Sequence, residues 1–306
     1  MGGTDVIPEG NQAGAELHKE GIESMPGKTR VVLEMFRHND KEKDPSKTDQ
    51  QLSLSQQGLA DAKKRGKDKK ITYSIATGTD RARAQQTAIG HMAGAMPKLQ
   101  DAETLEELKA VIDGARPLGT KIRVDNRLNF VLDKKSPFGV EAYRRYDMKE
   151  YLKFMVEDSD RFAEEVGDTT SSTYSRQAGN IAEIVLKYIK IAKNFDAIYR
   201  KTEESERETN ELKRFFGSHQ AVLESFLLKL IEGVKGTGER DRLVKALGNN
   251  GFDFSEGYEI DITTENAGEE PKMHIRYTKP AKGNNEEFVF DEDIPLGLVE
   301  EIVTAK

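Results

Sequence analysis

Histidine and arginine are scarce enough here to be weighed one at a time, and two of them stand side by side. The chain holds five histidines, at 18, 38, 91, 219 and 274. Arg37-His38 follows the apolar run TRVVLEMF directly, at the edge of a charged loop. Arg83 opens a helical pattern after a second apolar run, ITYSIAT, and Ser218-His219 follows a third, within LKRFFGSHQAVLESFLLKLIEG. Each place has the same local design of strand, polar turn and helix. In open α/β sheets ligands bind beyond the carboxyl ends of the strands, so the three places are expected to converge. Two guanidinium forks and helix N-termini suit phosphate oxygens. A neutral imidazole, with an ordinary pKa of about 6.5, can accept a phosphoryl group and pass it to water. Phosphoryl transfer asks the protein mainly for positioning and charge neutralisation.

The elements that must hold these groups read as α/β. TRVVLEMF is a continuous apolar strand of the buried, parallel type. SLSQQGLADAKKRG predicts a helix with Ser55 as cap and Gly66 as stop. ITYSIAT is a second strand and DRARAQQTAIGHMAGA a second helix. DAETLEELKAVI reads as a helix and KIRVDNRLNF as an extended segment. Ile181, Ile184, Val185, Tyr188, Ala192, Phe195 and Tyr199 form one apolar helical stripe, preceded by the cap residues TTSS. Residues 200–211 are nearly all polar and read as a solvated helix end or loop. YEIDIT, MHIRYT and EEFVF alternate as an antiparallel meander. A closing helix follows, with Asp293 as candidate cap. The expected fold is a three-layer sandwich: a mostly parallel central sheet with helices on both faces, a large helical insertion at about 100–210 and a C-terminal meander. Residues 1–28 read as a flexible tail, and 29–306 as a single domain.

Composition bounds the function. The 306 residues carry 47 basic and 54 acidic side chains, a net charge of −7, so a nucleic-acid partner is not expected. Absence of cysteine excludes disulfides and thiolate chemistry. No apolar run reaches the roughly 18 residues of a membrane span, and the N-terminal residues lack a secretory signal, so a cytoplasmic protein without membrane association is expected. No metal-ligand cluster, P-loop or dinucleotide fingerprint is visible, so no cofactor and no metal are expected. Of the remaining histidines, His91 reads as packing or surface, His274 as solvent-facing on a strand, and His18 as part of the tail. Oligomeric state is not readable.

These motifs resemble the histidine phosphatase (phosphoglycerate mutase-like) superfamily. RHND after a strand, LSLSQQGLADAKKRG, RARAQQTA and GSHQAVLESFL fall in that family's order, across about residues 30–230. The resemblance implies a metal-independent phosphomonoester hydrolase acting through a phosphohistidine at His38 on a small phosphorylated substrate. It makes Arg37 and Arg83 phosphate ligands and His219 a second donor. Arg83 rather than Arg81 matches the Arg-Ala-x-Gln-Thr-Ala register. Three departures follow. Asn39 replaces the usual glycine, and asparagine tolerates positive φ. Gln220 stands where the acid-phosphatase branch places an aspartate donor. In Arg127-Leu128-Asn129-Phe130, phenylalanine takes the slot of the mutase-like general acid, which leaves Asp133, or Glu141, as substitutes. The alternatives are a phosphate-binding pseudoenzyme, a phosphoglycerate mutase-like phosphotransferase, or an interaction protein built on residues 141–211.

Overall fold

A computed structural model describes residues 27–306, apart from 68, 70, 72, 73, 100, 103, 115–120, 208, 249 and 282–285. The expected tail therefore lies, but for Gly27 and Lys28, outside the described residues, as does His18. In chain order the elements are β1 (Thr29–Arg37), α1 (Gln56–Gly66), β2 (Ile75–Gly78), α2 (Ala82–Ala95), α3 (Leu105–Gly114) and β3 (Lys121–Val124). Then come α4 (Pro137–Asp147), α5 (Tyr151–Glu157), α6 (Ser159–Glu165), α7 (Tyr174–Lys201) and β4 (Glu211–Ser218). The chain closes with α8 (Val222–Lys235), α9 (Thr237–Ala246), β5 (Gly257–Thr264), β6 (Lys272–Lys279), β7 (Phe288–Ile294) and α10 (Leu296–Thr304).

All seven strands join one sheet in the order β3-β2-β4-β1-β5-β6-β7. The pairs β3-β2, β2-β4 and β4-β1 are parallel. The pairs β1-β5, β5-β6 and β6-β7 are antiparallel. The sheet is thus evenly mixed rather than mostly parallel. The meander extends the central sheet because β5 hydrogen-bonds the free side of β1 along its length.

Side chains alternate across the sheet, as strand geometry requires. Val31, Leu33 and Met35 enter a large core with the buried faces of α7, α8 and α10. Phe36 enters a second core with α1 and α2. The adjacent Phe216 and Phe215 of β4 divide between the same two cores. Removing these apolar faces from water is the main stabilising term, at roughly 25 cal/mol per Å². Ile181, Ile184, Val185, Tyr188 and Ala192 of the expected stripe are buried on α7, while Phe195 and Tyr199 are only partly buried, and Thr29 at the start of β1 donates to Asp196 of α7 at 2.8 Å.

Local signals hold in places and fail in others. Ser55 caps α1 by accepting from the Gly58 amide at 3.0 Å. Gly66 ends α1, and it also lets α1 approach α2, since a Cβ there would overlap the His91 carbonyl. Asp293 does not cap α10: it lies in β7 and pairs with His274, while Pro295 takes the cap position. Gly217-Ser218 is not a turn but the end of β4, held in register with Phe36-Arg37. The stretch 100–210 is not purely a helical insertion, because it supplies the edge strand β3. No described helix is long and apolar enough to cross a membrane.

Candidate active site

Register brings the first two groups together. Arg37 of β1 lies opposite Ser218 of β4, so His38 and His219 leave neighbouring parallel strands at the same level. The His38 amide donates to the Ser218 carbonyl at 2.8 Å, and the two imidazoles stand edge-on, 5.3 Å apart between centroids. β2, on the other side of β4, delivers Thr79 and then the first turn of α2 with Arg83. That turn seats against the strand ends because two glycines offer no side chain. A Cβ on Gly217 would overlap the Ala84 carbonyl oxygen, and one on Gly78 would lie 2.5 Å from Gln85 Cα.

Each group then has a defined state. His38 Nδ1 faces the Asn39 carbonyl at 2.8 Å, which only an N–H can satisfy. Nε2 is therefore the lone-pair atom, and Arg83 Nε donates to it at 3.3 Å. Burial pushes the His38 pKa down to about 3; the Asn39 carbonyl opposes this, and the charges of Arg83 and Arg37 add to it. The imidazole is thus neutral at pH 7. Burial likewise drives His219 well below its ordinary value, helped by His38 and three arginines. The Thr79 oxygen accepts from the Arg81 amide at 3.1 Å and lies 3.0 Å from His219 Nε2. With the hydroxyl hydrogen directed to Nε2, the ring proton of His219 sits on Nδ1.

Two buried nitrogens of the cluster are left over. His219 Nδ1 and Arg37 Nε are both buried with no hydrogen-bond partner among the described residues. Arg37 Nη1 donates to the Phe252 carbonyl, and its guanidinium lies 4.9 Å from the Phe254 ring centroid. The Phe252 amide donates to Glu224 at 2.7 Å, so one residue, Phe252, links this carboxyl to Arg37. Glu224 is fully buried, and burial raises its pKa against the opposing amide hydrogen bonds. The fork of Arg83 engages Asp49, donating to its carbonyl at 2.6 Å and to its carboxylate at 2.9 Å. Burial would raise the Asp49 pKa, but Arg83 and Lys41 hold it well below the usual carboxylate range. Unpaired buried N–H groups cost free energy on the scale of about 1–3 kcal/mol each. Two arginines, two buried imidazoles and unpartnered buried nitrogens in one cluster are groups whose chemistry suits a small anion.

The structure therefore brings Arg37, His38, Arg83 and His219 into one cluster. Asp133 has only local contacts: it lies exposed in the turn before α4 and accepts from the Lys135 amide at 2.9 Å. Glu141 is clamped by Arg144 at 2.6 Å and by Arg145 at 2.6 Å, and its pKa is lowered to about 2 mainly by Arg144. Asn39 does not use positive φ; its place is kept by bonds instead. Its amide donates to Thr87 at 3.0 Å, and its side chain donates to Ser255 at 2.9 Å. Ala221, two residues after His219, does take a left-handed conformation at φ 65°, a strained state for a residue with Cβ. His91 is buried and stacks on Phe36 at 3.7 Å, and His274 on β6 pairs with Asp291 and Asp293. Arg81 meets Asp49 at 3.3 Å and the Phe130 carbonyl at 3.2 Å. Sequence reasoning missed Asp49, Thr79, Glu224 and Phe254. Only Glu224 carried a local signal, as a carboxylate flanked by the apolar residues of AVLESFLL. Among the described residues no group of three histidine or carboxylate side chains is disposed to hold a metal ion.

The candidate site is thus a cluster of arginine and histidine side chains at the carboxyl edge of a mixed α/β sheet. No family model matches the chain, and no curated protein matches it. Several solved structures are similar. One is a mycobacterial glucosyl-3-phosphoglycerate phosphatase, 14% identical over 77% of this chain and 90% of that one, with a TM-score of 0.39. Another is a phosphoserine phosphatase from Entamoeba histolytica, 14% identical over 76% and 90%, with a TM-score of 0.36. A third is a mycobacterial hydrolase, 12% identical over 90% and 97%, with a TM-score of 0.38. Likenesses this low leave the reading of the site to its own geometry.

Proposed function

We propose that this chain is a phosphatase of the histidine phosphatase type, which hydrolyses phosphate monoesters through a phosphohistidine at His38 without a metal ion. The observation that carries this reading is the pair of buried nitrogens without a hydrogen-bond partner among the described residues, Arg37 Nε and His219 Nδ1, both read as N–H donors, beside a neutral imidazole whose Nε2 lone pair is free of a proton. A phosphoryl group meets these donors and Arg83 with its equatorial oxygens, while Nε2 of His38 attacks phosphorus. The N–P bond forms as the P–O bond to the leaving group breaks. Solvent protonates the departed oxygen; water then attacks phosphorus and gives up a proton to solvent, the N–P bond breaks, and the electron pair returns to Nε2. The Asn39 carbonyl stabilises the positive charge that the ring carries while phosphorylated, because it holds the Nδ1 proton throughout.

Quenching the enzyme with a ³²P-labelled monoester is the test. The reading expects an acid-labile, base-stable phosphoprotein that is absent in His38→Ala and unaffected by EDTA. Label retained in His38→Ala, or turnover lost in EDTA, would refute it. Phe130 in the general-acid slot favours a second reading, a phosphate-binding protein with little turnover. Phosphate binding without labelling or hydrolysis of any monoester would select that reading.

A further inference from the structure

The fork of Arg83 meets a carboxylate, whereas that of Arg37 meets a backbone carbonyl. Residues 250–256 do the holding. The Phe252 carbonyl accepts from Arg37 Nη1, and the Phe254 ring centroid lies 4.9 Å from the guanidinium. The Ser255 amide donates to the Arg37 carbonyl at 3.1 Å, and the Arg37 amide donates to the Glu256 carbonyl at 2.9 Å. Ser255 also accepts from the Asn39 side chain at 2.9 Å. One short segment thus contacts both residues that flank His38. Ser255 takes a left-handed conformation at φ 54°, so the segment is held in place rather than relaxed.

The same segment is tied to the helix that follows His219. Gln220 donates to the Asn250 carbonyl and, at 3.1 Å, to the Asn250 side-chain oxygen. Glu224, in the first turn of α8, accepts from the Phe252 amide at 2.7 Å. Gly251 permits that approach: its φ is 107°, and a Cβ there would lie 2.6 Å from Glu224 Oε1. Glu224 is fully buried, and its Oε2 has no hydrogen-bond partner among the described residues. A carboxyl group is costly to take out of water, and an apolar side chain would fill the same space more cheaply. The bond that Glu224 does make goes to the residue whose carbonyl receives Arg37.

We propose that Glu224 is a positioning residue for phosphate binding: by fixing Phe252 it sets where the Arg37 guanidinium stands relative to His219, whose helix carries it. This rests on the phosphatase reading above. Glu224 does not touch the phosphoryl group; it acts through Phe252 and Arg37. What it supplies is an acceptor at a fixed reach from α8, so the length of the side chain matters more than its charge. Aspartate keeps the carboxyl group but withdraws it by one methylene group. Glutamine keeps the reach and an acceptor oxygen but gives up the carboxyl group. A role through charge alone would rank these two variants in the reverse order.

Vanadate binding by calorimetry tests this in wild type, Glu224→Asp, Glu224→Gln, Arg37→Met and the double variant Glu224→Asp/Arg37→Met, with urea melts to establish that each is folded. Glu224→Asp is expected to bind vanadate roughly tenfold more weakly, the scale of one displaced hydrogen bond to a charged group. Glu224→Gln should recover the affinity to within about threefold of wild type, since the acceptor is kept. In the Arg37→Met background Glu224→Asp should change the affinity by less than about twofold, because residues that act through one another are not additive. Gly251→Ala presses on Glu224 Oε1 from the other side and is a second route to the same displacement, with the same expected loss. Wild-type affinity in folded Glu224→Asp overturns this inference and leaves the phosphatase reading standing. So does a larger loss in Glu224→Gln than in Glu224→Asp, or a tenfold loss that persists without Arg37. Absence of vanadate binding in wild type removes the phosphatase reading, and this inference with it.

Discussion

Lowering the pH from 7.5 to 5 should destabilise this protein through its buried histidines, and His91 isolates the effect. His38, His91 and His219 are all buried, and burial is the first cause holding each below its ordinary pKa. Unfolded, each titrates at about 6.5. The folded state stays neutral while the unfolded state takes up protons, so the contribution is fully present above pH 6.5 and is lost as pH falls toward the folded values. A histidine that stays neutral when folded costs about 2 kcal/mol at pH 5, with a limiting slope of about 1.4 kcal/mol per pH unit. Glu224 and His274 have raised pKa values and oppose this, which makes a difference between variants the better reading. His91 stacks on Phe36 with both ring nitrogens unpartnered among the described residues, outside the arginine-histidine cluster. His91→Leu should therefore lose about 2 kcal/mol less than wild type between pH 7.5 and 5. Urea unfolding at several pH values, followed by circular dichroism, provides the numbers. Identical pH dependence in the two proteins would refute the assignment of His91 as a neutral buried group.

Three further outcomes are expected. Gly217→Ala drives a methyl group into the Ala84 carbonyl, and restoring ordinary contact requires α2 to move by about 1 Å; the cost is about 1–3 kcal/mol of stability and about a hundredfold in kcat/KM, read by urea melts and monoester hydrolysis. Asp49→Asn removes the carboxylate that holds the fork of Arg83, so vanadate should bind about fivefold more tightly by calorimetry, the scale of about 1 kcal/mol for a partly exposed ion pair. Thr79→Val keeps the shape but leaves His219 Nε2 without its hydroxyl, which should cost about 1–2 kcal/mol of stability and lower kcat more than it raises KM.

Much of the fold was legible because its signals are local. The buried run before Arg37, the Ser55 cap, the α7 stripe and the alternating strands of the meander each depend on residues within a turn or two of one another. The types of the site residues were legible for the same reason: Arg37-His38, Arg83 and Ser218-His219 each follow a strand in the sequence itself. How they meet was not. β4 lies between β1 and β2 although it follows them by more than a hundred residues, and only that strand order puts His219 beside His38 and Thr79. The same holds for Asn39, which is positioned by bonds to Thr87 and Ser255 rather than by a glycine-like turn.

By itself, then, the sequence determined which residues could bind and attack a phosphoryl group, and which stretches form strands and helices, because periodicity and capping act over a few residues. Tertiary structure alone decided which of these groups are buried, which two nitrogens lack a partner among the described residues, and the hold of Asp49 on Arg83. Those properties arise from burial and from partners far away along the chain, and a pKa or an unpaired N–H is set by what surrounds a group in space.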